Sequence, residues 1–179
     1  ETGTGTGGSL ARFTIAANHL YIADGTTLHT YSLNDPANPQ KTSSTAIGWN
    51  IETIFPWKDK LFIGSRDAMY IFSIANPDQP ASLGMVSHFR ACDPVIANDS
   101  IAYVTVRSGS SCGGNINALL VYNIKQILAP DQRNAIPLVN PYGLGMKGNR
   151  LFICDGAEGL KIFDISIPYY PTQIEHITG

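Results

Sequence analysis

Apolar and polar positions alternate in short runs along this chain, and Gly, Pro, Asn or Asp bound most of the runs. The segment Leu151–Pro171, LFICDGAEGLKIFDISIPYYP, shows the unit: two apolar strands, a tight turn between them and a proline-containing exit. Runs of period two with turn residues at their ends predict β-strands. Helical spacing is nearly absent. The pattern therefore predicts an all-β chain.

The unit is repeated four times. Leu20, Leu61 and Ala102 stand at the same point of successive copies, 41 residues apart, and Leu151 marks a fourth copy 49 residues further on. The extra length lies in the Ser/Gly-rich segment 107–117. Units of 40 to 50 residues with four strands each are typical of β-propeller blades. A β-sandwich, the alternative fold, does not explain the constant period.

The phase of the repeat predicts the domain organisation. We expect a flexible Gly/Thr-rich arm over residues 1–9 and a propeller domain over 10–179, with blades at approximately 10–46, 50–87, 93–139 and 142–177. The third copy replaces the proline-rich exit by KQILAPDQ, which predicts a short helical turn before a fourth strand over 135–139. Four blades indicate part of a larger ring. A closed four-blade ring and a ring shared by two chains are the alternatives.

Composition limits the classes of partner. The 179 residues are 44% hydrophobic and 15% charged, with a net charge of −2 and no cluster of Lys and Arg, which argues against nucleic acid as a partner. Apolar runs are too short to span a bilayer directly. No P-loop, nucleophile elbow, or Cys- and His-based metal spacing is present, so the sequence predicts no catalytic residue, metal or cofactor.

One face of the predicted propeller carries most of the mixed chemistry. Loops after the second and fourth strands of each blade share this face, which we call the loop face; hairpin turns and exits share the opposite face. Binding sites on rigid scaffolds are usually built from such converging loops, so we expect a ligand or partner here. The candidate residues are Arg66, Asp67, His88, Arg90, Asp93, Arg107, Tyr142, Asp155 and Glu158.

Two of the three cysteines form a disulfide candidate. Cys92 precedes the first strand of the third copy and Cys112 lies in the loop after its second strand. Neighbouring antiparallel strands bring these points to the same edge of the sheet. A disulfide between them would pin the Ser/Gly-rich insertion and would imply an oxidising compartment.

One cysteine and three aromatic residues are predicted to be buried by packing within or between the blades. Cys154 occupies the strand position that Ala23, Gly64 and Thr105 hold in the other copies, which predicts a small, buried, inert thiol. Three aromatic residues near blade boundaries are expected to pack blade against blade; if exposed, they would indicate a stacking platform for a sugar or peptide. They are Trp49, Trp57 and Phe89.

The third strands carry a resemblance to a known family. They read LKIFD at Leu160–Asp164, LHTYS at Leu28–Ser32, MYIFS at Met69–Ser73 and LLVYN at Leu119–Asn123. With the Asp/Asn-Pro-x-x-Pro exits, these segments resemble the LVIVD repeat, although only the first keeps the terminal Asp. The resemblance implies a β-propeller, often part of an envelope lipoprotein of Gram-negative bacteria. It assigns no catalytic residues, so none is transferred to this chain.

Two functions are consistent with these observations. The first is a non-catalytic scaffold that binds a protein partner or a carbohydrate at the bacterial periplasm or outer-membrane surface, with a lipid anchor upstream left open. The second is a glycan-active propeller enzyme that uses carboxylates at the channel mouth, such as Asp93, Asp155 and Glu158. The absence of any catalytic motif favours the scaffold.

Overall fold

The computed structural model describes residues 12–65, 68–87, 94–108 and 115–178, and the backbone of residues 6–8. Within these ranges the chain forms 17 β-strands, β1 to β17, and one short 3-10 helix, Gly156–Glu158. The strands build four antiparallel sheets that follow one another along the chain. The predicted all-β class and the four four-stranded units are confirmed.

Each sheet, which we call a blade, contains four consecutive strands bonded in chain order. Blade 1 comprises β2 Phe13–Ala16, β3 His19–Asp24, β4 Thr27–Ser32 and β5 Gln40–Ala46. Blade 2 comprises β6 Ile51–Trp57, β7 Lys60–Ser65, β8 Ala68–Ser73 and β9 Ala81–Ser87. Blade 3 comprises β10 Val95–Ala97, β11 Ile101–Val106, β12 Ala118–Asn123 and β13 Asp131–Pro137. Blade 4 comprises β14 Leu144–Lys147, β15 Arg150–Cys154, β16 Leu160–Asp164 and β17 Thr172–Ile177.

A fifth strand joins blade 4 from the other end of the chain. β1, Thr6–Gly8, lies within the segment expected to form an arm, and it pairs antiparallel with β14. Thr6 stands opposite Met146 and Gly8 opposite Leu144. The remainder of the expected arm lies outside the described residues. The pairing therefore ties the beginning of the described chain to its last blade.

The same exit turn precedes the fourth strand in all four blades. In each turn a backbone N–H donates to the carbonyl three residues earlier, at 2.9 to 3.1 Å; the donors are Asn38, Gln79, Ala129 and Tyr170. The predicted helical turn in the third copy is wrong, because the chain there forms the same turn without the first proline. As a result β13 begins at Asp131, four residues earlier than expected.

Burial distinguishes the middle blades from the end blades. Every residue of β11 and β12 is buried, because blade 3 packs against a neighbour on both faces. In β3 and β15, by contrast, buried residues alternate with partly or fully exposed ones, since the described residues cover blades 1 and 4 on one face only. Apolar burial between blades is thus the main stabilising contribution, at about 1.5–3 kcal/mol per large side chain.

Two tyrosines connect neighbouring blades by hydrogen bonds. The Tyr21 hydroxyl in β3 donates to the Pro77 carbonyl of blade 2 at 3.0 Å. The Tyr103 hydroxyl in β11 donates in the same way to the Pro168 carbonyl of blade 4 at 2.9 Å. Burial, with a smaller contribution from the Asp78 carboxylate, raises the pKa of Tyr21 to about 12. Each bond fixes a strand of one blade against the exit turn of the next.

Candidate functional site

The structure describes four of the nine predicted site residues. Arg107 follows β11, Tyr142 precedes β14, and Asp155 and Glu158 lie between β15 and β16, all at the loop-face ends of their strands. The other five candidates, and both cysteines of the predicted disulfide, lie outside the described residues. They are Arg66, Asp67, His88, Arg90, Asp93, Cys92 and Cys112.

Arg107 and Tyr142 form a pair across blades 3 and 4. The guanidinium carbon of Arg107 lies 4.2 Å from the centre of the Tyr142 ring, the geometry of a cation–π contact. Tyr142 is 44% exposed, so the pair is presented to solvent on the loop face. A partly exposed Arg held against an exposed Tyr is a pair of residues of the kind enriched at protein interfaces.

Asp155 is fully buried beneath this surface, where it accepts hydrogen bonds from blade 4 and from the linker between blades 3 and 4. Its carboxylate accepts hydrogen bonds from the backbone N–H groups of Val139 (3.1 Å) and Asn140 (2.7 Å), which link blade 3 to blade 4. It also accepts a bond of 2.5 Å from the Lys161 ammonium group in β16. Desolvation alone would raise the pKa of Asp155, but the hydrogen bonds from Lys161 and the two backbone groups outweigh it and hold the pKa below its usual value.

Asn117 extends the network toward the insertion. Its side-chain oxygen accepts a bond of 2.7 Å from the Ser108 N–H, and its side-chain nitrogen donates at 2.7 Å to the Val139 carbonyl. Both ends of the Ser/Gly-rich segment are therefore joined to the linker that Asp155 holds. The base of the loop face at blades 3 and 4 is fixed by hydrogen bonds rather than by loop packing alone.

An open groove lies beside this base, between blades 2 and 3. It has a volume of about 680 Å³, within the range of ligand and peptide sites. Its described walls are mainly apolar, with three polar residues among them: Ser87, Asn117 and Gln132. The apolar lining consists of Ile116, Ala118, Leu120, Ala135 and Pro137. Because Ser87, Ala118 and Pro137 lie at strand ends on the loop face, the groove opens toward that face.

Trp49, on the loop face, is exposed to solvent, which differs from its predicted environment. The sequence predicts that it packs between blades, but its side chain is 72% exposed in the linker from blade 1 to blade 2. The linker is well anchored, because Ile47 donates to Thr26 at 2.9 Å and Ile51 donates to Gly25 at 3.1 Å. Trp57 does pack against the core, and its indole N–H donates to Asp99 at 2.8 Å.

Cys154 also differs from its prediction. Its side chain is exposed rather than buried, although the same position is buried in the other three blades. The reason is that the prediction assumed a neighbour on both sides of every blade. The face of blade 4 that carries Cys154 is turned away from blade 3 and is uncovered by the described chain.

Asp155 and Glu158, the two described carboxylates expected at the channel mouth, do not form a hydrolytic pair. Both oxygens of Asp155 are engaged, its side chain is inaccessible, and its lowered pKa is the opposite of what a general acid needs. A Glu158 carboxylate oxygen lies 3.9 Å from the His176 ring nitrogen at the surface. Among the described residues, no three His, Cys, Asp or Glu side chains converge in a way that would hold a metal ion.

Comparisons with known proteins identify the fold. No family model matches the sequence, and no curated protein matches it. A solved protein from Lactobacillus plantarum is similar with a TM-score of 0.70 at 13% identity, over 90% of this chain and 54% of its own. The N-terminal domain of Nup159 is similar with a TM-score of 0.63 at 10% identity, over 96% and 45%. A structure of S. cerevisiae Dbp5 bound to Nup159 gives the same values.

These similarities show a β-propeller fold and nothing about activity. The chain spans about half the length of the solved structures it matches, in keeping with a run of blades from a larger ring. The resemblance to the LVIVD repeat stays a prediction. In the part of the chain that the structure describes, no helix has the length and apolar character required to cross a membrane.

Proposed function

We propose that this chain is a non-catalytic propeller module that binds a partner protein on its loop face, at the bacterial cell envelope. An apolar segment of the partner occupies the groove between blades 2 and 3. Trp49 and the Arg107–Tyr142 pair provide exposed contact surface on the same face. The fold supports the scaffold role, and the surface chemistry supports protein as the partner.

The groove is the observation that carries the proposal. Its lining is mostly apolar and solvent can reach it, although apolar surface elsewhere between blades 2 and 3 is closed by packing. Covering such a lining with apolar side chains gains about 25 cal/mol for each Å² removed from water. A carbohydrate would gain less, because it needs a dense set of hydrogen-bonding groups, and among the described lining residues only Ser87, Asn117 and Gln132 are polar.

Two further observations support the wider proposal. The structural neighbour Nup159 has been solved in a complex with Dbp5, so a propeller with this arrangement of strands binds a protein in that case. The third-strand resemblance to the LVIVD repeat supports a bacterial envelope location. The disulfide candidate Cys92–Cys112 would fit the oxidising periplasm.

A photo-crosslinking residue at Gln132 tests the proposal directly. The side chain of Gln132 is exposed on the groove wall, so a crosslinker there should capture the partner in intact cells. The same crosslinker at Gln79, exposed in an exit turn on the opposite face, is the control. Mass spectrometry would then identify the protein captured from Gln132 alone.

Binding of that purified protein provides the quantitative test. Ala135→Arg places a long cation on the exposed groove wall and should weaken binding at least about tenfold, or about 1.4 kcal/mol. Gln79→Arg adds the same side chain on the opposite face and should leave the affinity unchanged. Equal capture from both crosslinker positions, or equal affinity of both variants, would contradict a groove site. Binding of a polysaccharide in place of a protein would contradict the assigned partner class.

A further inference from the structure

Blade 1 ends the described arc with an apolar face that no described residue covers. The strand register places Phe13, Ile15, Leu20, Ile22 and Tyr31 on one side of this blade. Phe13 is 60% exposed and Ile15 is 63% exposed. Leu20 and Ile22 are partly exposed and belong to neither of the two core clusters. We call this side the open face of blade 1.

Blade 4 ends the arc with a second apolar face. Here the register places Phe152, Cys154, Leu160, Ile162 and Ile177 on one side of the sheet. Cys154 is exposed and Ile177 is 48% exposed. Phe152, Leu160 and Ile162 are partly exposed and also pack in neither core cluster. We call this side the open face of blade 4.

The contact between blades 1 and 2 shows which kind of apolar surface packs against each open face. In that contact, Tyr21 and Leu28 of blade 1 share a buried cluster with Leu61 and Ile63 of blade 2. Tyr21 and Leu28 lie on the side of blade 1 opposite its open face. In this contact blade 1 presents an aromatic-and-Leu face, and blade 2 presents a Leu-and-Ile face.

The two open faces repeat these two halves. By the repeat phase, Leu20 and Ile22 stand where Leu61 and Ile63 stand in blade 2. The open face of blade 1 is thus of the Leu-and-Ile kind. In the same way Phe152 and Leu160 occupy the positions of Tyr21 and Leu28 in blade 1, so the open face of blade 4 is of the aromatic-and-Leu kind. The two faces are complementary halves of one interface.

We propose that two copies of this chain pair head to tail, with the open face of blade 4 of each copy against the open face of blade 1 of the other. Each copy then contributes one face of each kind, so both contacts form and no open face is left. The product is a ring of eight blades, within the range known for propellers. The solved structures that this chain matches are about twice its length, which agrees with a second half of similar size.

This proposal does not rest on the proposed function. Sedimentation equilibrium of the purified chain tests it, because a monomer has a mass of 19.3 kDa and the ring has twice that mass. We expect the doubled mass at tens of micromolar. Ile22→Asp and Phe152→Asp, one on each open face, should each raise the dissociation constant at least about 100-fold, since each buries a charge in an apolar contact. Leu128→Asp, at a residue 72% exposed in an exit turn, is the control and should leave the dimer intact.

Mixing the two variants distinguishes the head-to-tail arrangement from other dimers. In a mixed ring, one contact carries both substitutions, while the other joins an unchanged blade 1 to an unchanged blade 4. The mixture should therefore recover a dimer that neither variant forms alone, provided that circular dichroism shows both variants folded. Maleimide labelling of Cys154 in the unaltered chain gives a second measurement, and should slow as the protein concentration rises. A monomer at all concentrations, a dimer that resists both substitutions, or a mixture that stays monomeric would overturn the proposal.

Discussion

Replacing Lys161 by Met should destabilise the propeller strongly, because the buried Asp155 carboxylate loses its cationic partner. The two groups are 2.5 Å apart, and the side chains are 11% and 0% exposed. The two backbone N–H groups that remain cannot neutralise the charge. The linker between blades 3 and 4 would then be attached to an uncompensated buried anion.

The expected magnitude follows from the burial. Removing one member of a buried ion pair typically costs about 3–5 kcal/mol. A domain of this size is stable by about 5–15 kcal/mol, so the loss is a large fraction of the total. At about 2–4 °C for each kcal/mol, the melting temperature should fall by about 6–20 °C.

Urea unfolding at neutral pH, followed by circular dichroism, measures the effect. Lys125→Met removes an exposed cation and is the control; it should change the free energy of unfolding by less than about 0.5 kcal/mol. The double variant Asp155→Asn with Lys161→Met should cost less than the sum of the single changes, because neither charge is then left alone. A loss below about 1 kcal/mol for Lys161→Met would refute the role assigned to this pair.

The same pair predicts a pH dependence. Because the folded state lowers the pKa of Asp155, its contribution to stability is fully present above the unfolded pKa of about 3.9 and is lost as the pH falls through the folded value. Asp155→Asn should therefore flatten the stability profile below about pH 4. An unchanged acid profile in Asp155→Asn would show that other carboxylates determine it.

Three further predictions concern single positions. Thr105→Val should raise the free energy of unfolding by about 1 kcal/mol in urea titrations, because the buried Thr105 hydroxyl has no hydrogen-bond partner among the described residues. A loss of stability would show that the hydroxyl does form a hydrogen bond. Tyr103→Phe should cost about 1 kcal/mol through the lost bond to Pro168, and a neutral result would remove that bond from the account. Gly159→Ala should lower the melting temperature more than Gly25→Ala. Both glycines have positive φ, but only at Gly159 would a Cβ lie 2.2 Å from a carbonyl oxygen, that of Ile177. Equal shifts in melting temperature would contradict this close approach.

The repeat made most of the fold predictable from sequence. The repeat phase and the turn residues that bound each apolar run locate β3, β7, β11 and β15 to within about a residue. The exit turn of blade 3 was missed because the prediction relied on its prolines. The backbone bond from Ala129 to Gln126 forms the turn without the first of them.

The environment of single residues was harder to predict. Cys154 and Trp49 are exposed because of what lies beside them in space, and the strand pattern alone does not report whether a blade has a neighbour. Lys161 was missed because it occupies an inward position that Leu120 fills in blade 3. The same repeat position holds His29 in blade 1 and Tyr70 in blade 2, so the available signal was the nearby Asp155, the partner that a buried Lys demands.

The repeats stack as blades, and the described arc ends in two faces that no described residue covers. Cys154 and Thr105 hold the same repeat position, one on an open face and one between blades. Maleimide labelling at nanomolar protein concentration, read peptide by peptide, compares Cys154 with Thr105→Cys made in a Cys154→Ser background. We predict that Cys154 reacts at the rate of a free thiol and that the cysteine at position 105 reacts at least about 100-fold more slowly. Equal rates at the two positions, whether fast or slow, would contradict this arrangement of blades.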